Sequence, residues 1–239
     1  MFVLRYSRSV RLFASQVSDG TQAKTFRDYR WEDARDRGSF ADLQEYTEKK
    51  GVVTAAMPSL LPPNHGIMLP NIPVRDISDS FGKQADLSET ALNKVCLIGL
   101  SFRESGRAAL QTWLKPFALQ NQDDRHQYVE LAIVESTLHR LLVRNLFRKS
   151  VHSVLKAARH PGLPTKHLFC FDDIIQQLNQ LEIRNRLAGY IFLVDGKGRI
   201  RWRASGEFHS DKYPNFESYV ATLHDELRRS DITQRALDS

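Results

Sequence analysis

The chain has 239 residues, 41% of them hydrophobic and 26% charged, with a formal net charge of +6. That is enough for one sizeable core with an extension, and no apolar run reaches the roughly 18 to 20 residues of a membrane-crossing helix. The two cysteines, Cys96 and Cys170, stand far apart inside apolar, strand-like stretches, which excludes a Cys-x-x-Cys pair and half of a zinc site; they read as buried free thiols.

In chain order, residues 1–18 carry Arg5, Arg8 and Arg11, serines at 7, 9, 15 and 18, and no acid before Asp19. This is the composition of a mitochondrial presequence. On a helix Phe2, Tyr6, Val10, Phe13 and Val17 share one face, and Arg11 stands three residues before a cut that leaves Ala14 first. Residues 23–50 are densely and alternately charged, with aromatic residues interspersed, and predict a helix or an arm lying against something else. Residues 51–73 contain Pro58, Pro62, Pro63, Pro70 and Pro73 and predict a linker without regular structure that wraps onto the next domain. The division expected is a presequence (1–18), a charged arm and linker (19–66), a main domain (67–232) and a tail (233–239).

Beyond the linker the pattern alternates strand and helix. Strands are predicted over 94–102 and 128–135, a short strand or extended link over 166–171, and helices over 104–119, 137–159 and 172–181, the last capped by Asp172 or Asp173. Residues 187–206 form a hairpin, with an apolar first strand, an Asp195-Gly-Lys-Gly198 turn and a second strand that alternates basic with apolar residues. Phe216, Tyr219, Val220, Leu223 and Leu227 recur at helical spacing in a closing helix over 215–229. The fold class expected is α/β, thioredoxin-like or peroxiredoxin-like, because the hairpin comes late and one amphipathic helix follows it directly.

A thioredoxin-like enzyme places its reactive cysteine where the first core strand meets its helix, since the helix N-terminus stabilises a thiolate there. That junction reads Ser101-Phe-Arg-Glu-Ser-Gly106, without cysteine, and Arg186-Leu-Ala-Gly189 lacks the proline that shapes the substrate groove before the hairpin. No base can be placed beside Ser101. His139, His152, His160 and His167 match no metal-ligand spacing and read as surface or capping residues, and Gly196-Lys-Gly198 sits in a hairpin, where no phosphate loop belongs. The expectation is a non-enzyme without cofactor or metal.

Between Glu135 and Asp172 there is no acid, while Arg140, Arg144, Arg148, Lys149, Lys156, Arg159 and Lys166 sustain positive charge. Arg140, Arg144 and Arg148 form an i, i+4, i+8 ridge, and Leu138, Leu141, Leu142, Leu146 and Phe147 line much of the remaining circumference. Two readings stay open: a solvated basic face on a core helix, or a contact surface for an anionic membrane or an acidic partner. On the hairpin, Arg201 and Arg203 point opposite to Trp202 and are expected to be exposed. Trp202 packs beneath the closing helix or contacts a partner at the hairpin edge.

Gly189-Tyr-Ile-Phe-Leu-Val-Asp195, then Ile200-Arg-Trp202 and Gly206, resemble the C-terminal pattern of the mitochondrial ATP synthase assembly factors called ATPase complex subunit ten. The basic leucine-rich helix, Ser101-Phe-Arg103, the charged arm and the presequence are similar to that family as well. The resemblance implies a thioredoxin-like scaffold without redox residues. It further implies a chaperone on the matrix side of the inner membrane that helps the a subunit enter the membrane sector of ATP synthase. The expected contact residues are Arg140, Arg144, Arg148, Lys149, Arg201 and Trp202, meeting the unassembled a subunit and anionic lipid. Two rivals come from other classes. A basic ribosome- or RNA-associated protein would show salt-dependent RNA affinity but lacks a recognisable RNA-binding motif, and no DNA contact is expected. A degenerate redox protein would need a reactive Cys96 or Cys170.

Overall fold

A computed structural model describes residues 39–76, 84–120, 125–135 and 163–237. The expected presequence and the basic helix over 137–159, with Arg140, Arg144, Arg148 and Lys149, lie outside the described residues. So do His139, His152 and His160.

The apolar run around Cys96 becomes strand β4 (Val95–Ser101), buried at every position. A strand apolar on both faces needs cover on both faces of the sheet, and β4 lies in the sheet's interior with a strand on each edge. Strand β5 (His126–Ile133) runs parallel to β4 on one side, and β7 (Tyr190–Val194) runs antiparallel on the other. Beyond them lie β6 (Thr165–Cys170), parallel to β5, and β8 (Arg199–Ser205), paired with β7 through the Asp195 turn. Short strands complete the edges: β1 (Ile67–Met68) on β8, β2 (Pro73–Asp76) on β6, and β3 (Gln84–Asp86) on β2. The order is β1-β8-β7-β4-β5-β6-β2-β3. Parallel β4 and β5 joined through helix, then an antiparallel β7–β8 hairpin and a closing helix, form the thioredoxin-like arrangement.

Helices α1 (Ser39–Glu48) and α2 (Leu87–Ala91) precede the core, and Asp86 caps α2 by accepting from Ser88 N at 2.8 Å. The single helix expected over 104–119 is instead two, α3 (Glu104–Gln111) and α4 (Leu114–Ala118). Pro116 has no N–H to offer the carbonyl four residues back, and Thr112 Oγ1 donates to Ala109 O at 2.6 Å, so the ladder stops and restarts at Thr112 and Trp113. Helix α5 (Ile175–Gln180) is shorter than expected, with Asp173 Oδ1 accepting from Ile175 N. Helix α6 (Phe216–Leu237) is longer.

One sheet face packs Cys96, Ile98, Leu100, Val129, Leu131 and Phe192 into a core closed by Ile174 and Leu178. The other meets an aromatic cluster in which Trp113 lies 5.7 Å from Trp202, 4.9 Å from Tyr213 and 5.1 Å from Phe216. Apolar burial of this extent is the main stabilising term for such a sheet.

The linker wraps onto the domain as expected, as a strap. Met57 N donates to Arg203 O at 3.0 Å, Leu61 N to Arg201 O at 2.8 Å and Leu69 N to Gly198 O at 3.0 Å, so the segment runs along the free edge of β8. The compact unit starts at Ala41, and the strap and most of α1 belong to it.

Candidate functional site

The junction where a thioredoxin-like enzyme carries its cysteine is packed shut by backbone. Ser101 is buried, and a Cβ on Gly106 would stand 2.6 Å from Ala188 O, so only glycine lets α3 approach the segment before β7 this closely. Several of the backbone groups that such a segment could offer an extended peptide are already used. Arg186 N donates to Asp42 Oδ2 at 3.1 Å, Leu187 N to Asn185 Oδ1 at 2.9 Å, and Asn185 N to Tyr190 Oη at 3.1 Å. Ser105 Oγ donates to Leu187 O at 2.9 Å, and Gly206 N to Gly189 O at 2.9 Å. Both cysteines are buried as expected; burial pushes the Cys96 thiol up to about 12, against the lesser pull of Lys94 and Lys166, so it is no nucleophile near neutral pH.

Beneath α3 lies a polar cluster that periodicity did not reveal. Glu130, buried in the middle of β5, accepts from Arg107 Nε at 2.5 Å and from Gln111 Nε2 at 3.4 Å. His167, expected at the surface, is buried on β6 with its Nδ1 3.3 Å from Glu130 Oε2. Burial alone would raise the Glu130 carboxyl, but His167 and Arg107 outweigh it and hold the group below its ordinary value of 4.5. Burial beside Glu130 keeps Tyr128 a neutral phenol. The one available sign was an acid inside an otherwise apolar strand, which a buried position tolerates only with a partner. The cluster pins α3 across β5 and β6.

The direction of the Glu130 shift sets a pH dependence. A carboxyl held low in the folded state contributes stability above its unfolded value near 4.5, and that contribution is lost as pH falls through the lower folded value. Denaturation midpoints taken from about pH 6 to about pH 3 should therefore fall less steeply for Glu130→Gln than for the parent chain. Equal slopes would remove Glu130 from the acid response.

A second buried pair joins α4, β5 and α6. His126 Nε2 lies 2.8 Å from Phe117 O and must donate to it, since a carbonyl only accepts; His126 Nδ1 then faces His224 Nε2 at 2.7 Å. A neutral His126 then accepts at Nδ1 the hydrogen bond that His224 Nε2–H donates.

The hairpin motif corrects the sequence reading. Arg201, expected to be exposed, is 1% accessible. Its Nη1 lies 2.6 Å from Glu226 Oε2 and 3.1 Å from Asp195 Oδ2, its Nη2 lies 3.0 Å from Glu226 Oε1, and its Nε donates to Leu61 O at 2.6 Å. Arg203 is half-buried and bonds Leu181 O and Glu182. Trp202 is 2% accessible and sits in the aromatic core with its Nε1 donating to Met57 O at 2.9 Å. Arg199 Nη1 reaches Pro63 O at 2.6 Å, and Ser205 Oγ reaches Thr54 O at 2.9 Å. The run from Arg199 to Ser205 is thus a clamp on the strap, and neither Arg201 nor Trp202 presents a free contact surface. Strict alternation fails here: Trp202 pairs with Leu193 and Ile200 with Val194, so Arg201 is an extra residue in β8, and α6 meets Arg201 through Glu226 as well as Trp202 through Phe216 and Tyr219.

Among the described residues no three His, Cys, Asp or Glu side chains are grouped to hold a metal, and no helix is long and apolar enough to cross a membrane.

The sequence pattern of the family described as "ATP10 protein" matches residues 8–223. Among curated proteins none matches the chain significantly. Solved structures of similar shape include a DsbF homologue from Corynebacterium diphtheriae, at 9% identity and TM-score 0.45 over 71% of this chain and 94% of that one. A secreted thiol-disulfide isomerase from Corynebacterium glutamicum matches at 14% identity and TM-score 0.41 over 68% and 91%. A peroxiredoxin-like protein from Aquifex aeolicus matches at 9% identity and TM-score 0.41 over 65% and 86%.

Proposed function

The chain belongs to the ATP10 protein family of ATP synthase assembly factors, and on that premise we propose that it is a non-catalytic chaperone for the membrane-sector a subunit. It acts on the matrix side of the mitochondrial inner membrane, held there peripherally by anionic lipid. The observation that carries this reading is the family match from residue 8 to residue 223, which takes in the arm, the basic segment and the hairpin motif together. The packed junction at Ser101 and Gly106 and the occupied segment before β7 favour a scaffold over a redox catalyst. With Arg201 and Trp202 taken up by the strap, the partner surface falls to the ridge of Arg140, Arg144 and Arg148 with Lys149.

Deleting the gene should deplete fully assembled ATP synthase on native gels, with the a subunit the component missing. Normal amounts of the complete enzyme would sink the proposal. Reversing Arg140, Arg144 and Arg148 to glutamate should release the protein from membranes rich in anionic lipid and lower assembly, since each basic residue near such a surface contributes about 1 kcal/mol. Unchanged assembly and unchanged membrane association would make the ridge a solvated face.

A further inference from the structure

Helix α1 is held in an unusual way. Of residues 41–50 only one side chain is buried, and it is an aspartate, Asp42; Leu43 is exposed and Tyr46 half-buried against the core. A helix of ten residues is not stable by itself in water, so its seat must supply the stabilisation. That seat is polar. Arg186 N donates to Asp42 Oδ2 at 3.1 Å, and Asn185 Nδ2 donates to Asp42 O at 2.8 Å and to Glu45 Oε2 at 3.3 Å. Asp42 Oδ1 is buried with no hydrogen-bond partner among the described residues, so the carboxylate is only half satisfied. The chain then turns through Lys50 and Gly51, both left-handed at φ 48° and 80°, before entering the strap.

These groups make a site with a defined chemistry: a backbone N–H and a carboxamide, both donors, facing a carboxylate and a carbonyl on one helical turn. We infer that the corner made by Asn185 and Arg186 is a seat for an acidic helical segment, occupied here by α1 as a latch. The latch opens without unfolding the sheet, and an acidic helix of a partner then takes the place of α1. A helix held by apolar burial would share the stability of the core, whereas one held by a half-satisfied carboxylate belongs to the low end of the stability range.

The test is amide hydrogen exchange on the full chain. The amides of residues 43–48 should exchange at one common rate with that of Arg186, at least about 100-fold faster than the amides of β4 and β7. Asp42→Ala should remove protection from α1 and from Arg186 while β4 and β7 keep theirs, and Asp42→Asn, which retains one acceptor, should fall between. A peptide with the sequence of residues 39–50, added at about millimolar concentration to match what a short tether supplies, should restore Arg186 protection in the Asp42→Ala chain. The same peptide with alanine in place of the aspartate should not. Exchange of α1 only through global unfolding, loss of β4 protection in Asp42→Ala, or an Arg186 amide indifferent to the aspartate peptide would each overturn the inference.

Discussion

Trp202→Ala should lower the unfolding free energy by about 3–5 kcal/mol, the range for removing a buried aromatic side chain. Trp202 stands 5.7 Å from Trp113, 5.6 Å from Phe216, 5.9 Å from Tyr213 and 6.1 Å from Tyr219, so its removal opens a void among four rings that cannot all move inward. It also deprives Met57 O of its donor on the strap. Trp202→Phe keeps one six-membered ring but loses the N–H and part of the indole volume, so its cost should be about 1–3 kcal/mol. In a domain of this size the alanine variant should melt roughly 6 to 20 °C below the parent. Guanidinium denaturation followed by far-ultraviolet dichroism measures both. An alanine variant within 1 kcal/mol of the parent would mean that the ring lies at a surface, as a partner contact requires.

Apolar pattern made the inner fold legible. β4, β7 and α6 were readable because each is a buried run or an amphipathic repeat several residues long, and in such elements local pattern and final burial agree. Elements held by other means were not. β2 and β3 are strands of four and three residues, too short to show a period, and β2 opens on Pro73, which an edge position permits. The strap's prolines forecast irregular chain wrapping onto the domain, but not where it lands: its N–H groups at Met57 and Leu61 find carbonyls on β8 more than a hundred residues away. Asp42 reads as one more surface acid in a charged arm; only the fold shows that it meets Arg186 N. The Glu130 cluster and the buried Arg201 share that character, because charge pairing over long sequence separation leaves no periodic trace.

Arg201 gives the second large effect and separates a structural motif from a contact motif. Arg201→Ala should cost about 3–5 kcal/mol, since it takes from Glu226 its two-pronged partner, leaves Asp195 with Arg199 alone of its two arginines, and leaves Leu61 O without its donor. Lysine should not rescue it: one ammonium cannot reproduce the two-pronged pairing with Glu226 while also reaching Leu61 O. The double change Arg201→Met with Glu226→Leu should recover much of the loss, because it removes the stranded charge together with its partner and keeps the volume filled. Limited proteolysis reports the strap directly, with cleavage within residues 51–66 expected in Arg201→Ala at protein concentrations and times that leave the parent intact. If Arg201 served a partner instead, Arg201→Ala would fold as firmly as the parent and fail only in ATP synthase assembly. If it serves the strap, the Met and Leu double variant should regain stability and assembly together. Assembly that stays lost after stability returns would hand the Ile-Arg-Trp motif back to the partner.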